Sequence, residues 1–151
     1  VGEVDVKLDE MVDIEDVTNV EPIYSKKMLN FIIECFDVPL SEMVWRQRLF
    51  ISIIRETLEK YSKDIQRSGD DLFYEGRKLS VSIATSSITS SLIHTALNII
   101  GDGAPVEVST LSEIGVDNIE SFAGDVMSAF ANEVQSIYYA KCKVRGVAKW
   151  V

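Results

Sequence analysis

The sequence predicts an α+β domain: an antiparallel or mixed sheet flanked by about three helices. Three patterns carry that expectation. Apolar residues recur at three and four from Ile119 to Tyr138, as in an amphipathic helix. Two-residue alternation marks Val4, Val6, Leu8 and Leu79, Val81, Ile83 as strand faces. The strand-like runs between Asp64 and Ile100 are joined by short links, which favours hairpins over crossovers.

In chain order, Val1 to Leu8 reads as a strand with one buried face. Asp9 to Tyr24 lacks a period and carries Pro22, so it reads as loop with a turn of helix. Ser25 can cap a helix from Lys26 to about Phe36, burying Met28, Leu29, Ile32, Ile33 and Phe36, with Asp37-Val38-Pro39 as its stop. Ser41 can cap a second helix to about Tyr61, with Met43, Phe50, Ile54, Leu58 and Tyr61 inward and Glu42 at its positive end. Leu72-Phe73-Tyr74, the turn Glu75-Gly76, the run Arg77–Thr85, the polar connector Ser86–Ser90 and the run Leu92–Ile100 follow as strands. Asp102-Gly103-Ala104-Pro105 reads as a turn or loop. Asp117 or Ser112 would start a last helix, about 117–139, and Val144–Val151 would form a strand or tail.

The chain's 151 residues fit a single domain, 1–151, large enough to bury roughly 70% of its unfolded surface. It begins at Val1 rather than Met, so a short N-terminal segment is expected to be missing. Two cysteines, Cys35 and Cys142, suit a reducing, cytoplasmic compartment and do not make a disulfide framework or a multi-cysteine zinc module. A single histidine, His94, leaves no His-rich metal site, and no metal is expected. No apolar run approaches the ~20 residues of a membrane span. The net charge of −9 disfavours DNA and nonspecific nucleic-acid binding. That charge is uneven. Residues 1–24 set eight acids against one lysine, whereas the last eleven residues hold Lys141, Lys143, Arg145 and Lys149 and no acid.

The segment Gly69-Asp70-Asp71-Leu72-Phe73-Tyr74-Glu75-Gly76-Arg77-Lys78-Leu79-Ser80-Val81-Ser82 carries the chemistry. Strict alternation would give Lys78, Ser80 and Ser82 one wall. A half-buried ammonium there calls for an anion, which a ligand's phosphate or carboxylate could supply. On spacing alone, a solvated strand with wet serines is the plainer reading. His94, Ala96 and Asn98 share a face of the next strand, and a hairpin could bring His94 and Asn98 beside Lys78 and Ser80. Asp70 and Asp71 could hold Mg²⁺, but adjacent carboxylates on a strand point to opposite faces.

Together, Asp-Leu-x-x-x-Gly-Arg-Lys-Leu-Ser at 71–80 and His-Thr-Ala-Leu-Asn at 94–98 resemble the core of the biotin protein ligase, lipoate ligase and octanoyl transferase superfamily. The match covers about residues 69–99. The whole chain, including Met11–Val17 and Lys78–Thr85, resembles an uncharacterised archaeal family, domain of unknown function 366. The resemblance implies a class II synthetase-like fold with acyl or adenylate chemistry. Lys78 would be the catalytic cation, with Asp71, Ser80, Ser82, His94 and Asn98 as substrate contacts and Arg77 near phosphate. It implies ATP or an acyl-adenylate as cofactor, a small acyl or nucleotide ligand, and an acyl-carrier domain as partner. Val81 and Thr95 stand where these enzymes carry glycine and would narrow a pocket. The arginine- and glycine-rich loop of lipoate ligases is absent from residues 1–151, and no cysteine lies in 101–116, where octanoyl transferases place one. These departures support the competing expectation, a non-catalytic binding or homo-oligomeric module on the same fold, assembled through the C-terminal helix or a strand edge.

Overall fold

The computed structural model describes residues 1–7, 9–19, 23–36, 38–102 and 106–146. The chain runs β1 (Gly2–Val6), α1 (Ile14–Asn19), β2 (Ile23–Phe36), α2 (Leu40–Leu58), β3 (Ile65–Ser68), β4 (Asp71–Tyr74), β5 (Arg77–Lys78), β6 (Ser80–Ser86), β7 (Ser90–Asn98), α3 (Leu111–Ile114) and α4 (Ile119–Cys142). A four-stranded antiparallel sheet has the order β1-β2-β7-β6, and a three-stranded one the order β3-β4-β5. The one parallel pairing among the described residues is an isolated bridge, Lys78 to Val108.

The α+β class stands, with one element exchanged. Residues 26–36 form not a helix but most of β2. The spacing of Met28, Leu29, Ile32 and Ile33 fits a helix, but a short apolar run cannot separate the two periods. The β-branched and aromatic content of Phe31-Ile32-Ile33 suits a strand. The partner decides: β7 pairs with β2 from Met28↔Asn98 to Phe36↔Ser90. Ser25 caps no helix, and its buried hydroxyl has no hydrogen-bond partner among the described residues. The second helix begins earlier than expected, at Leu40, with Pro39 at the N-cap and no side-chain cap; Ser41 lies inside the first turn. The last helix is capped by Asn118, whose side chain accepts from the Ser121 N–H, and Ser112 belongs to the short α3. Residues 144–146 have no regular structure, and the rest of the expected tail, 147–151, lies outside the described residues, as do Gly103–Pro105.

Directly opposed residues of an antiparallel pair share a face. The inner face of the larger sheet thus carries Leu29 and Phe31, Leu97 and Thr95, and Ser80 and Ser82. Helix α2 lies against it. Phe31 and Phe50 meet edge to face at 5.3 Å, and Phe50 meets Phe130 of α4 at 5.0 Å. Phe50, Ile51, Ile54, Leu72, Leu79, Leu97, Phe122 and Val126 form the continuous core. A buried side chain of this size contributes about 1.5–3 kcal/mol, so this layer holds the two sheets together.

The chain crosses between sheets at Leu79. The β4–β5 turn uses Glu75 and Gly76, both at positive φ (51° and 76°), as tight hairpin turns require. Leu79 then donates its N–H to the Leu72 carbonyl, and its own carbonyl accepts from the Asn98 N–H. One residue stitches β4 to β7.

Candidate functional site

Leu79 and Ser80 are both fully buried. Two successive inward side chains interrupt the alternation that would place Lys78 on the wall of Ser80 and Ser82. The expected row of one cation and two hydroxyls does not form. The Ser80 hydroxyl accepts from the Leu72 N–H at 3.0 Å. The Ser82 hydroxyl takes a hydrogen bond from Gln47 Nε2 at 3.0 Å and lies 2.8 Å from Thr95 Oγ1.

Lys78 has a different partner. Its Nζ lies 3.0 Å from Asp71 Oδ1, with the lysine side chain 43% exposed. Its backbone is held on two sides, by pairing with Phe73 and by the Ser109 N–H on the Lys78 carbonyl. The ammonium is anchored yet reachable from solvent.

Next to this pair, Asp70 has both oxygens engaged. Arg48 Nη1 lies 2.6 Å from Oδ1, and Gln47 Nε2 donates to Oδ2 at 2.9 Å. Burial pushes the Asp70 carboxyl up, and the neighbouring Asp71 adds to this; Arg48, Gln47 and Lys78 oppose it. Asp70, Asp71, Arg48 and Lys78 thus form a charge-balanced cluster, tied through Gln47 to Ser82 and Thr95 inside the core. Gln47 and Arg48 escaped the sequence reading. The available signal was Gln47 itself, a polar residue at a buried position of the stripe Met43, Phe50, Ile54.

His94 and Asn98 are not beside Ser80 and Ser82. The register pairs Ile83 with His94, and Ser82 with Thr95. His94, Ala96 and Asn98 therefore occupy the outer face, away from α2. A single residue of register decides this. His94 Nε2 lies 2.9 Å from Asn30 Oδ1, a neighbour on β2, and burial lowers the imidazole pKa below its usual value. Asn98 is nearly buried. Near it on this face Val81, Ala96, Met28, Val4 and Val6 pack together, filling the space beside Val81.

Arg77 is taken up by structure rather than left free for phosphate. It donates to the Val108 carbonyl at 3.0 Å, and pairs with Glu113 at 2.9 Å and Glu75 at 3.3 Å. Cys35 lies 3.3 Å from an Arg46 nitrogen, and Cys142 is exposed at the end of α4. Among the described residues, no helix is long and apolar enough to cross a membrane.

A family model described as domain of unknown function DUF366 matches residues 1–145. The uncharacterised protein MJ0805 of Methanocaldococcus jannaschii is 34% identical over 142 residues, which cover 90% of this chain and 64% of that protein. This chain therefore spans a little under two thirds of that relative. A solved protein of unknown function from Pyrococcus horikoshi superposes with a TM-score of 0.87 at 36% identity, covering 97% of this chain and 79% of that one. The fold extends further. A biotin protein ligase from Aquifex aeolicus, in complex with biotin and ATP, gives a TM-score of 0.59 at 15% identity over 74% of this chain and 51% of its own. A bi-partite lipoate protein ligase from Thermoplasma acidophilum, studied with its E2 lipoyl domain, gives 0.62 at 11% over 89% of this chain and 68% of its own.

Proposed function

The chain belongs to the DUF366 family, and from that premise we propose that it handles an acyl group or acyl-adenylate, with Lys78 as the electrostatic centre. The observation that carries this reading is the Lys78–Asp71 pair: an ammonium fixed at 3.0 Å from a carboxylate, on a braced strand, with 43% of its side chain open. A lysine so placed can meet a phosphate or acyl oxygen and stabilise the charge that develops there. Asp71 holds the ammonium in place until a ligand competes for it.

In this reading the ligand contacts are Lys78 and Asp71, with His94 and Asn98 on the outer face. Ser80 and Ser82 brace the strand from behind, since their hydroxyls are engaged within the protein. ATP or an acyl-adenylate is the proposed co-substrate, Lys78 the residue that would meet its phosphate, and an acyl-carrier domain the proposed acceptor. The fold shared with ligases holding biotin and ATP, or acting on a lipoyl domain, supports these assignments by analogy. The two free cysteines are consistent with work in the cytoplasm.

A second reading rests on Val81. Its packing against Val4, Met28 and Ala96 fills the sheet face where a long acyl chain would lie. It favours a non-catalytic binding or homo-oligomeric module on the same fold.

Native mass spectrometry of protein purified from its source distinguishes the two. A retained acyl-adenylate or acyl adduct, lost in Lys78→Ala, supports the first. Equal retention by both proteins, or by neither, overturns it.

A further inference from the structure

Two surface regions oppose one another in charge. One surrounds the β1–β2 connection. Glu3, Asp5, Asp9 and Glu10 are exposed there, as are the apolar Val12, Ile14 (81%) and Val17. The other is the C-terminal end of α4 and the four described residues beyond it, 143–146. Lys141, Lys143 and Arg145 are exposed there, together with Ile137, Tyr138 and Tyr139 (71%). From residue 134 to residue 146 there is no acidic side chain. Each region combines bare apolar surface with charge of a single predominant sign.

Within one molecule these regions cannot meet. Val6 pairs with Ile23 and Asp5 with Tyr24, so the acidic connection lies at the start of β2. Tyr138 of α4 lies beside Arg46, and Arg46 touches Cys35 at the other end of β2. From Tyr24 to Cys35 an extended strand covers roughly 36 Å at about 3.3 Å per residue. That is several times the ~10 Å Debye length at 0.1 M salt.

We propose that the basic, tyrosine-bearing end of α4 docks on the acidic β1–β2 end of a second copy of this chain. A two-fold axis makes the contact twice, each copy giving its basic end to the other's acidic end, and so closes the assembly. Exposed tyrosines flanked by charge suit the centre and rim of such a contact. Nucleic acid is the weaker candidate for the same basic surface. Three cations fall short of the six to ten phosphate contacts of a typical binder, and the chain carries −9 overall. The assembly is independent of the chemistry proposed at Lys78.

Sedimentation velocity on the 151-residue chain, from 1 to 100 μM in 100 mM NaCl, tests this. The expected result is a monomer–dimer equilibrium whose dissociation constant rises about tenfold in 500 mM NaCl. Lys141→Glu/Lys143→Glu/Arg145→Glu should be monomeric, and so should Glu3→Lys/Asp5→Lys/Glu10→Lys. An equimolar mixture of the two should dimerise again, because both contacts of the mixed pair set a basic end on an acidic one, whereas each variant alone sets like charge on like. A single chain carrying both sets should dimerise again. Circular dichroism confirms that each variant is folded. A wild-type monomer at 100 μM overturns the proposal, as does a dimer that survives either reversal, or a doubly reversed chain that stays monomeric.

Discussion

Gln47 and Asp70 stand 23 positions apart in the chain, yet the amide of the first donates to the carboxylate of the second at 2.9 Å. The same amide nitrogen donates to Ser82 at 3.0 Å. One buried side chain thus links α2, the head of β4 and β6, and fixes the acidic side of the Lys78 cluster. Replacing it with Leu leaves Asp70 and Ser82 each short of a donor. The expected cost is about 2 kcal/mol, seen as a fall in Tm of about 4–8 °C. Gln47→Glu should cost more near pH 7 than near pH 4, since it sets a second carboxylate against Asp70. Thermal unfolding of both variants at the two pH values checks this.

Lys78→Ala should behave in the opposite way. The Lys78–Asp71 pair is substantially exposed, so its loss is worth at most about 1 kcal/mol of stability. Binding of a biotinyl-, lipoyl- or octanoyl-adenylate analogue should fall at least about a hundredfold if Lys78 meets the ligand's charge. Calorimetric titration beside thermal unfolding separates the two effects. Unchanged binding would remove Lys78 from the site.

The sequence showed the Lys78 strand but not its surroundings, and the reason is local. Alternation places side chains correctly only while a strand stays regular. Leu79 is the crossing point between two sheets, and there two neighbours turn inward. For His94 the missing information was register, since sliding β7 by one residue would have put it on the α2 side. The Glu75-Gly76 turn, the α4 stripe and the α+β class were legible because each depends on a few adjacent residues. Residues 26–36 fit either period from their own spacing, and only pairing with β7 makes them a strand, which leaves Ile32 (73%) and Phe36 (64%) exposed rather than buried. The pairing of Asp70 with Gln47 and Arg48 depends on a contact across more than twenty residues, which no short pattern encodes.

Gly69 supports the same cluster through its backbone. It adopts φ +62°, and a Cβ there would come within 2.5 Å of Arg48 Nη1. Gly69→Ala must therefore strain the turn and push the guanidinium away from Asp70. The expected cost is about 1–2 kcal/mol, with a larger fall in ligand affinity than Lys60→Ala, a surface control whose Asp125 partner lies on α4. Chemical denaturation and the same titration measure both. A Gly69→Ala protein of wild-type stability would show that Arg48 moves aside without cost.

His94 sets a pH dependence whose sign follows from its surroundings. Burial holds its folded pKa below the ordinary 6.5, and its Nε2 faces Asn30. Below pH 6.5 the unfolded chain binds a proton that the folded chain still refuses, so the unfolded state gains. Stability contributed by the neutral imidazole is complete above pH 7 and declines as pH falls through 6.5 toward the folded value. Asp70, with its raised pKa, works in the other direction, since protonation at falling pH favours its folded form. Comparison with His94→Gln, which leaves Asp70 in place, isolates the histidine. Urea midpoints should fall between pH 7.5 and 5.5 in the wild-type chain and stay flatter in His94→Gln, whose amide can still reach Asn30 but does not titrate. Parallel slopes in the two proteins would mean that the loss arises elsewhere, and that protonated His94 finds enough solvent on the outer face to escape the penalty of burial.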